Sequence, residues 1–255
     1  MPLAKQFLRN LQRFRLVTFD VTDTLLHLKD PIEQYKQTAI ECGVQNIDTG
    51  KLALCFRRQF KNMSMDHPNF GQGTGKMGWQ CWWKELVVQT FRCVDGSIPQ
   101  EKLNTIAEQL LAIFRTRACW QHVNGAKELV ERVRNAGKCV GVISNFDPSL
   151  RQVLDEMNFM NHFDFVLTSY EAGVMKPNPS IFRIPLERLN IAPHEALHIG
   201  NKSDMDYVGA RNSGWSGLLV HSGGVKDDNE VDGGQHTYKS IAQMLDALET
   251  QEIQW

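Results

Sequence analysis

The sequence predicts an α/β protein with a mainly parallel sheet and an inserted helical domain. The first indication is a short apolar run, 15–19, that ends at Asp20. A buried strand of this kind delivers a polar residue to the edge of a sheet where ligands bind. The second indication is that similar runs recur in the second half of the chain. The third is the long stretch between them, whose apolar residues recur at helical spacing.

Five apolar segments are expected to form the strands of this sheet. Each segment is short and rich in branched or aromatic residues, and turn-forming or polar residues bound it. The segments are 16–20, 139–143, 164–168, 196–200 and 217–221. Because the carboxyl ends of parallel strands share one edge of a sheet, we expect the polar residues that follow these segments to converge there.

Residues 1–15 are basic and amphipathic. The cations are Lys5, Arg9, Arg13 and Arg15, and no acidic residue precedes Asp20. The apolar residues at roughly helical spacing are Leu3, Phe7, Leu11 and Phe14. We expect a helix that covers the core. The alternative is a mitochondrial targeting segment, although such segments are usually longer and richer in Ser.

The central stretch is expected to fold as a group of helices. Four segments have the length and periodicity of amphipathic helices, and turn residues such as Pro68, Gly71, Gly73 and Gly75 separate them. The segments are 32–43, 51–61, 79–91 and 101–115. Near the other end of the chain, we expect a glycine-rich surface loop over 222–234 and a closing helix over 239–248.

These patterns predict a helical domain over 31–117 and an α/β core built from 1–30 and 118–255. Trp79, Trp82 and Trp83 share one face of a predicted helix. We interpret them as part of the core of the helical domain, because apolar stripes at this spacing are usually buried. An aromatic wall that faces a substrate is the alternative.

The residues after the first predicted strand resemble the first signature of the haloacid dehalogenase superfamily. In the phosphatases of that superfamily the signature reads Asp-x-Asp-Gly-Thr-Leu. Asp20, Thr24 and Leu25 match it, whereas Thr22 stands in place of the second Asp and Asp23 in place of Gly. The resemblance implies a Rossmann-like three-layer core with a mainly parallel sheet and an inserted helical cap domain.

The same resemblance implies that Asp20 is the nucleophile that attacks phosphorus and forms an aspartyl-phosphate. The second Asp of the signature protonates the leaving alcohol, and Thr22 cannot exchange protons near neutral pH. Loss of a positioned general acid typically lowers the rate by ~10²–10⁴. Asp23 lies one residue further along the chain, so in extended backbone it is expected to point away from the site.

Two downstream motifs carry further candidate residues. Ser144 and Asn145 follow the second core segment, and the resemblance implies that they bind a phosphoryl oxygen. Lys176 opens a Lys-Pro-x-Pro sequence, and in the superfamily this lysine binds phosphate and offsets the charge of the nucleophile. Asp147 and Pro148 predict a helix N-terminus just after the second motif.

The fourth motif of the superfamily reads Gly-Asp-x4-Asp-x2-Gly-Ala. Here Asn201 replaces the first acidic residue, and Asp206 retains the second. The resemblance implies a Mg²⁺ site formed by Asp20, the backbone carbonyl of Thr22, Asn201 and Asp206. Mg²⁺ prefers hard, charged oxygen ligands. An amide at 201 is therefore expected to weaken metal binding.

Three functional hypotheses follow for a site that has lost two acidic residues. The first is slow Mg²⁺-dependent hydrolysis of a small phosphomonoester. The second is a non-catalytic protein that binds a phosphorylated ligand or a protein partner. The third is hydrolysis in which Asp20 attacks carbon, as in dehalogenation. The dehalogenases also lack the second Asp and carry a Ser-Asn pair similar to Ser144-Asn145, but they have an aromatic residue in place of Thr22.

Several phrases resemble one group within the superfamily, whose members also lack the second Asp of the first signature. The phrases run over about 14–221 and include Phe19-Asp20-Val21-Thr22-Asp23-Thr24-Leu25, His67-Pro68-Asn69-Phe70-Gly71, Trp82-Trp83, Ser144-Asn145-Phe146-Asp147 and His162-Phe163-Asp164-Phe165. Thr22 therefore looks like a feature of the group. Asn201 departs further from the superfamily pattern.

Composition and charge limit the classes of partner that we expect this protein to bind. A net charge of −1 and a pI near 6.7 argue against a dedicated nucleic-acid binder. No apolar run reaches the ~20 residues that span a bilayer, so no membrane partner is expected. The expected partner is a small phosphorylated metabolite or a protein. With no secretory signal visible, we expect six reduced cysteines and a cytoplasmic protein, with mitochondrial or nuclear location as alternatives.

Overall fold

The computed structural model describes residues 4–74, 77–221 and 234–255. It separates into two compact units. The first comprises 1–27, 121–145 and 157–255, and the second comprises 28–120 and 146–156. The domain limits predicted from the sequence, with the helical domain over 31–117, stay a prediction.

Eight strands occur in the described residues: β1 Leu16–Phe19, β2 Leu26–Leu28, β3 Trp120–His122, β4 Cys139–Ser144, β5 Phe165–Thr168, β6 Ala196–Gly200, β7 Ser216–Val220 and β8 Thr237–Tyr238. The α-helices are α1 Lys5–Leu11, α2 Pro31–Glu41, α3 Thr49–Asp66, α4 Trp79–Val94, α5 Gln100–Ile113, α6 Ala126–Asn135, α7 Leu150–Glu156, α8 Ser169–Ala172, α9 Pro179–Leu189, α10 Gly209–Asn212 and α11 Ile241–Thr250. A π-helical segment spans Ser203–Val208.

The main sheet is parallel throughout, with the strand order β5-β4-β1-β6-β7-β8. The predicted Rossmann-like α/β class is therefore confirmed. β1 lies between β4 and β6, where Thr18 is in register with Gly141 on one side and His198 on the other. Every residue of β1 is buried. The sequence missed β8 and the separate β2–β3 pair, since runs of two or three residues carry too little periodicity to recognise.

The sheet is covered on one face by α9. Phe182 and Ile181 of this helix pack in one buried cluster with Leu16, Ile143 and Leu167 from three adjacent strands. Asn178 caps the helix, since its side chain accepts a hydrogen bond from the backbone of Ser180, and Pro179 occupies the first turn. The helix continues through Pro185.

The N-terminal segment forms the expected helix, α1, which buries Phe7 and Leu11. Asn10 on this helix is also buried, and it binds the end of the chain. Its amide nitrogen donates to the carbonyl of Gln251 at 2.8 Å, and its carbonyl oxygen accepts from the backbone of Ile253 at 3.0 Å. α11 corresponds to the predicted closing helix, displaced by two residues. The predicted loop over 222–234 lies outside the described residues except for Gly234, which begins a short 3₁₀ helix, Gly234–His236.

The second unit contains the four predicted central helices, α2 to α5, around a buried core. Tyr35, Leu52, Phe91, Ile106 and Leu110 belong to this core. Each helix contributes at least one of them, which is what amphipathic helices need in order to bury their apolar faces together.

A disulfide joins Cys55 of α3 to Cys93 of α4, with a Cα–Cα distance of 5.8 Å. The expectation that all six cysteines are reduced is therefore wrong for this pair. The two residues lie 38 positions apart and in no recognisable motif, so the sequence offered no signal for their proximity. The free cysteines are Cys42, Cys81, Cys119 and Cys139.

The tryptophans of α4 differ in burial. Trp82 is 1% exposed and forms a buried cluster with Met63 and Leu86. Trp83 is half-buried, and its indole N–H donates to Oδ2 of Asp147 at 2.7 Å. Asp147 in turn accepts the backbone N–H of Ser149 just before α7. Trp82 therefore lies in the core of the helical unit, as predicted, whereas Trp79 and Trp83 are only half-buried.

In the described part of the chain, no helix is both long and apolar enough to cross a membrane.

Candidate active site

The candidate site lies in the first unit, at the carboxyl edge of the parallel sheet. Asp20 directly follows β1, and its backbone N–H donates to the carbonyl of Ile199 in β6 at 2.9 Å. Ser144 ends β4 and Asn201 directly follows β6. Because β4 and β6 are the two neighbours of β1, parallel pairing alone brings these three positions to the same edge.

Asp20 is 7% exposed and has two side-chain hydrogen-bond donors. Ser144 donates its hydroxyl to Oδ1 of Asp20 at 2.9 Å, and Lys176 donates its ammonium to the same oxygen at 2.8 Å. Both donors therefore act on one carboxylate oxygen. Oδ2 is the oxygen to which neither of them donates.

Lys176 is 3% exposed, and its ammonium has three acceptors. Besides Oδ1 of Asp20, it donates to the carbonyl of Ile143 at 2.7 Å and to Oδ1 of Asp206 at 2.6 Å. An ammonium has three N–H donors. The complete donor capacity of Lys176 is thus used inside the protein.

Asn145 holds the main chain of Lys176. Its Oδ1 accepts the backbone N–H of Lys176 at 2.7 Å, and its Nδ2 donates to the carbonyl of Lys176 at 2.9 Å. The loop that carries the lysine is thereby tied to the residue that follows β4. Substrate binding by Asn145, expected from the resemblance, remains a prediction, and the contacts of its side chain include these two.

Asp206 is 1% exposed, and both of its oxygens accept hydrogen bonds. Oδ1 accepts from Lys176 and lies 3.2 Å from Nε2 of His198, and Oδ2 accepts from the backbone of Lys202 at 2.9 Å. Gly200 makes room for this side chain, because a Cβ at that position would lie 2.3 Å from Cγ of Asp206. These hydrogen bonds and the close approach of Gly200 therefore hold the carboxylate of Asp206 in one position.

The charges of this cluster shift its pKa values in different directions. Burial raises the pKa of Asp20, and Lys176 offsets only part of the rise. Burial also opposes ionisation of Asp206, but Lys176 and His198 outweigh it and lower the pKa of Asp206. Burial alone would lower the pKa of Lys176, yet Asp20 and Asp206 raise it above its ordinary value. Lys176 is therefore a cation at neutral pH.

The turn after Asp20 is tight. Thr22 forms an isolated bridge with Leu26, and the backbone N–H of Asp23 donates to the carbonyl of Leu26. Asp23 has a φ of 59°, the left-handed conformation that glycine adopts without steric cost. This explains why the family signature has Gly at that place. The carboxylate of Asp23 lies 2.8 Å from Nδ1 of His27.

Mg²⁺ binding by the predicted ligands stays a prediction, and the side chains of Asp206 and Asn201 already have hydrogen-bond partners. Both oxygens of Asp206 already accept hydrogen bonds, and Oδ1 of Asn201 accepts one from the hydroxyl of Thr24 at 3.3 Å. Asp20, the carbonyl of Thr22 and Asn201 would supply one charged and two neutral oxygens. Mg²⁺ is commonly held by one or two carboxylates, with water and substrate phosphate as its other ligands. Over the described ranges, no group of three or more His, Cys, Asp or Glu residues could hold a metal.

Two buried residues next to this cluster, His198 and Thr18, were not among the predicted site residues. Nδ1 of His198 lies 2.8 Å from the hydroxyl of Thr18. Both residues sit in the middle of predicted core strands. A polar residue in such a strand is the signal that could have identified them, since a buried polar group needs a partner.

The fold and the cluster define an α/β protein whose candidate site is centred on Asp20. This residue follows β1 at the carboxyl edge of the parallel sheet, where β1 lies between β4 and β6. A family model described as haloacid dehalogenase-like hydrolase matches residues 14–214. The chain belongs to the haloacid dehalogenase-like hydrolase family.

The group that the sequence phrases resemble is that of the haloacid dehalogenase-like hydrolase domain-containing protein 3, which includes the rhythmically expressed gene 2 protein, and two curated relatives carry these names. The chain is 40% identical to the Rhythmically expressed gene 2 protein of Drosophila melanogaster over 223 residues, which cover 84% of this chain and 85% of that protein. It is 35% identical to the Haloacid dehalogenase-like hydrolase domain-containing protein 3 of Bos taurus over 239 residues, which cover 93% and 94% of the two chains.

Among solved structures, the chain is similar to a defluorinating L-2-haloacid dehalogenase, with a TM-score of 0.70 and 16% identity. The match covers 98% of this chain and 99% of that structure. At this identity the likeness concerns the fold.

Proposed function

We propose that this protein is a slow phosphomonoester hydrolase that uses Asp20 as its nucleophile. The observation that carries the proposal is the position of Asp20 at the carboxyl edge of the sheet, with Ser144 and Lys176 both bound to Oδ1. Two donors on one oxygen fix the carboxylate and leave Oδ2 to attack. Family membership supports hydrolysis as the reaction class.

In the proposed reaction, Oδ2 of Asp20 forms a bond to phosphorus while the bond from phosphorus to the alcohol oxygen breaks. The leaving alkoxide takes a proton from water, because Thr22 cannot donate one near neutral pH. Water then forms a bond to the phosphorus of the aspartyl-phosphate while the bond from phosphorus to Oδ2 breaks, and it releases to solvent a proton that replaces the one taken by the alkoxide. Inorganic phosphate leaves, and the carboxylate of Asp20 is restored.

Charge explains why the reaction is expected to be slow. Asp20, Asp206 and Lys176 together carry a net charge of −1, and a phosphomonoester dianion adds to it. Mg²⁺ held by Asp20, the carbonyl of Thr22 and Asn201 would offset charge on the phosphate. With an amide at 201 in place of a carboxylate, we expect that metal to bind weakly.

The non-catalytic reading is the second candidate, and the contacts of Lys176 favour it. A phosphate could bind this ammonium only if Lys176 gave up one of its three buried acceptors. Attack on carbon is a third candidate. A halide leaves without protonation and brings no phosphate charge, so this reaction needs neither the missing acid at 22 nor a metal carboxylate at 201.

The experiment compares 4-nitrophenyl phosphate and 2-chloropropionate as substrates for wild type, Asp20→Asn and Asp204→Asn, with and without Mg²⁺. Asp204 is an exposed carboxylate near the site and serves as the matched control. We expect slow phosphate release that is lost in Asp20→Asn and retained in Asp204→Asn. Chloride release with the same dependence on Asp20 would establish the carbon reaction. If neither substrate yields product, the result supports the second candidate, a non-catalytic protein.

A further inference from the structure

We propose that His198 is a positioning residue: its imidazole, with a proton on Nε2, holds Asp206 against Lys176 and so keeps the ammonium beside Asp20. None of the four sequence motifs includes this side chain. The kinetic consequence rests on the proposed hydrolase function. The proton on Nε2 and the contacts of the ring do not.

Each ring nitrogen of His198 lies within hydrogen-bond distance of one partner. His198 is 1% exposed, Nδ1 lies 2.8 Å from the hydroxyl of Thr18, and Nε2 lies 3.2 Å from Oδ1 of Asp206. The ring of Phe182 packs edge-on against it with centroids 5.4 Å apart. Thr18 and His198 are also in register across β1 and β6. The ring therefore has one defined orientation.

The partners of the two nitrogens determine where the proton lies. An ionised carboxylate only accepts hydrogen bonds, so Nε2 must donate to Asp206. In a neutral ring Nδ1 is then the acceptor, and the hydroxyl of Thr18 donates to it. The other acceptor near that hydroxyl, the carbonyl of Leu197, is 3.5 Å away.

The consequence for the site follows from the chain of contacts. Thr18 orients His198, and His198 shares Oδ1 of Asp206 with Lys176. The lysine side chain is long and flexible, so a rigid acceptor is needed to hold its ammonium in one place. Without the N–H of His198, Asp206 has one restraint fewer. Lys176 can then move away from Asp20.

The first test reads the proton directly. Nitrogen NMR of ¹⁵N-histidine-labelled protein is recorded for wild type, Thr18→Val and Thr18→Ser, and His198→Gln identifies the signals. We expect a proton on Nε2 in wild type and in Thr18→Ser, which keeps the hydroxyl. Thr18→Val, of similar shape, should shift the Nδ1 signal. A wild-type ring protonated on Nδ1 alone overturns the proposal.

The second test separates positioning from packing by kinetics with 4-nitrophenyl phosphate. His198→Leu should lower kcat by about tenfold or more, because a hydrogen bond to a charged group is lost. His198→Gln, whose amide can still donate to Asp206, should keep more of the activity, and the exposed His194→Gln should change nothing. Equal losses in His198→Leu and His198→Gln contradict positioning. A wild type without turnover counts against the proposed hydrolase alone, and NMR then decides the role of His198.

Discussion

Lys176 and Asp206 form a buried ion pair, with Nζ 2.6 Å from Oδ1 and each side chain only 2% exposed. The same ammonium lies 2.8 Å from Asp20. One cation thus serves two carboxylates in a water-poor site, where an unpaired charge is costly. Through Lys176, the candidate nucleophile Asp20 is thus linked to Asp206, the acidic residue that the fourth motif retains.

Lys176→Met is expected to destabilise the protein by about 3–5 kcal/mol at pH 8, because it leaves two buried carboxylates without their partner. Unpaired and buried, Asp20 and Asp206 would have pKa values above those of the unfolded chain. The folded variant then binds more protons than the unfolded one, so its deficit should shrink as the pH falls towards 5. Urea unfolding at both pH values measures this. The exposed Lys202→Met is the control, and an equal deficit at pH 5 and pH 8 would contradict the buried-pair account.

Asn201→Asp is expected to bind Mg²⁺ more tightly than wild type, since a carboxylate adds a full charge at the ligand position. Calorimetric titration with MgCl₂ checks this. Asp204→Asn removes one negative charge at an exposed position near the site. It controls for the effect of overall charge on Mg²⁺ binding. Equal affinities of wild type and Asn201→Asp would show that position 201 is not a ligand.

The double variant Thr22→Asp with Asn201→Asp should raise the rate on alkyl phosphates more than on aryl phosphates. Alkoxides are poor leaving groups that depend on protonation, and a restored acid is worth ~10²–10⁴ in rate. Phosphate release from both substrate classes measures the ratio. Asp20→Asn in the same background should remove the gain. Asp23→Gly belongs in a third variant, because Gly tolerates the left-handed φ at this turn. A parallel gain on both substrates would argue against an acid role for position 22.

Gly200→Ala should lower stability and disturb the site together. A Cβ there would lie 2.3 Å from Cγ of Asp206, so the carboxylate must leave its contacts with Lys176 and His198. Overpacking of a buried position typically costs about 1–3 kcal/mol. Thermal unfolding followed by circular dichroism tests this against Gly96→Ala, whose nearest neighbour lies at 3.9 Å. A Gly200→Ala variant as stable as Gly96→Ala would show that Asp206 can be accommodated elsewhere.

The sequence by itself determined the fold class and the strand-end positions of Asp20, Ser144 and Asn201. Local information suffices for this, because a short apolar run followed by a polar residue describes a buried strand and its end. Once the strands are parallel, their carboxyl ends share one edge without further specification. The same logic located the central helices within a few residues, because their apolar periodicity persists over several turns.

Tertiary structure alone decided which polar atoms meet. The resemblance already implied that Lys176 offsets the charge of Asp20, but the pairing of Lys176 with Asp206, and of His198 with Thr18, depends on strand order and register, which no local pattern encodes. The disulfide between Cys55 and Cys93 depends likewise on how α3 packs against α4. Hydrogen bonds act over about 3 Å, whereas residues distant in the sequence are brought that close only by the packing of the whole core.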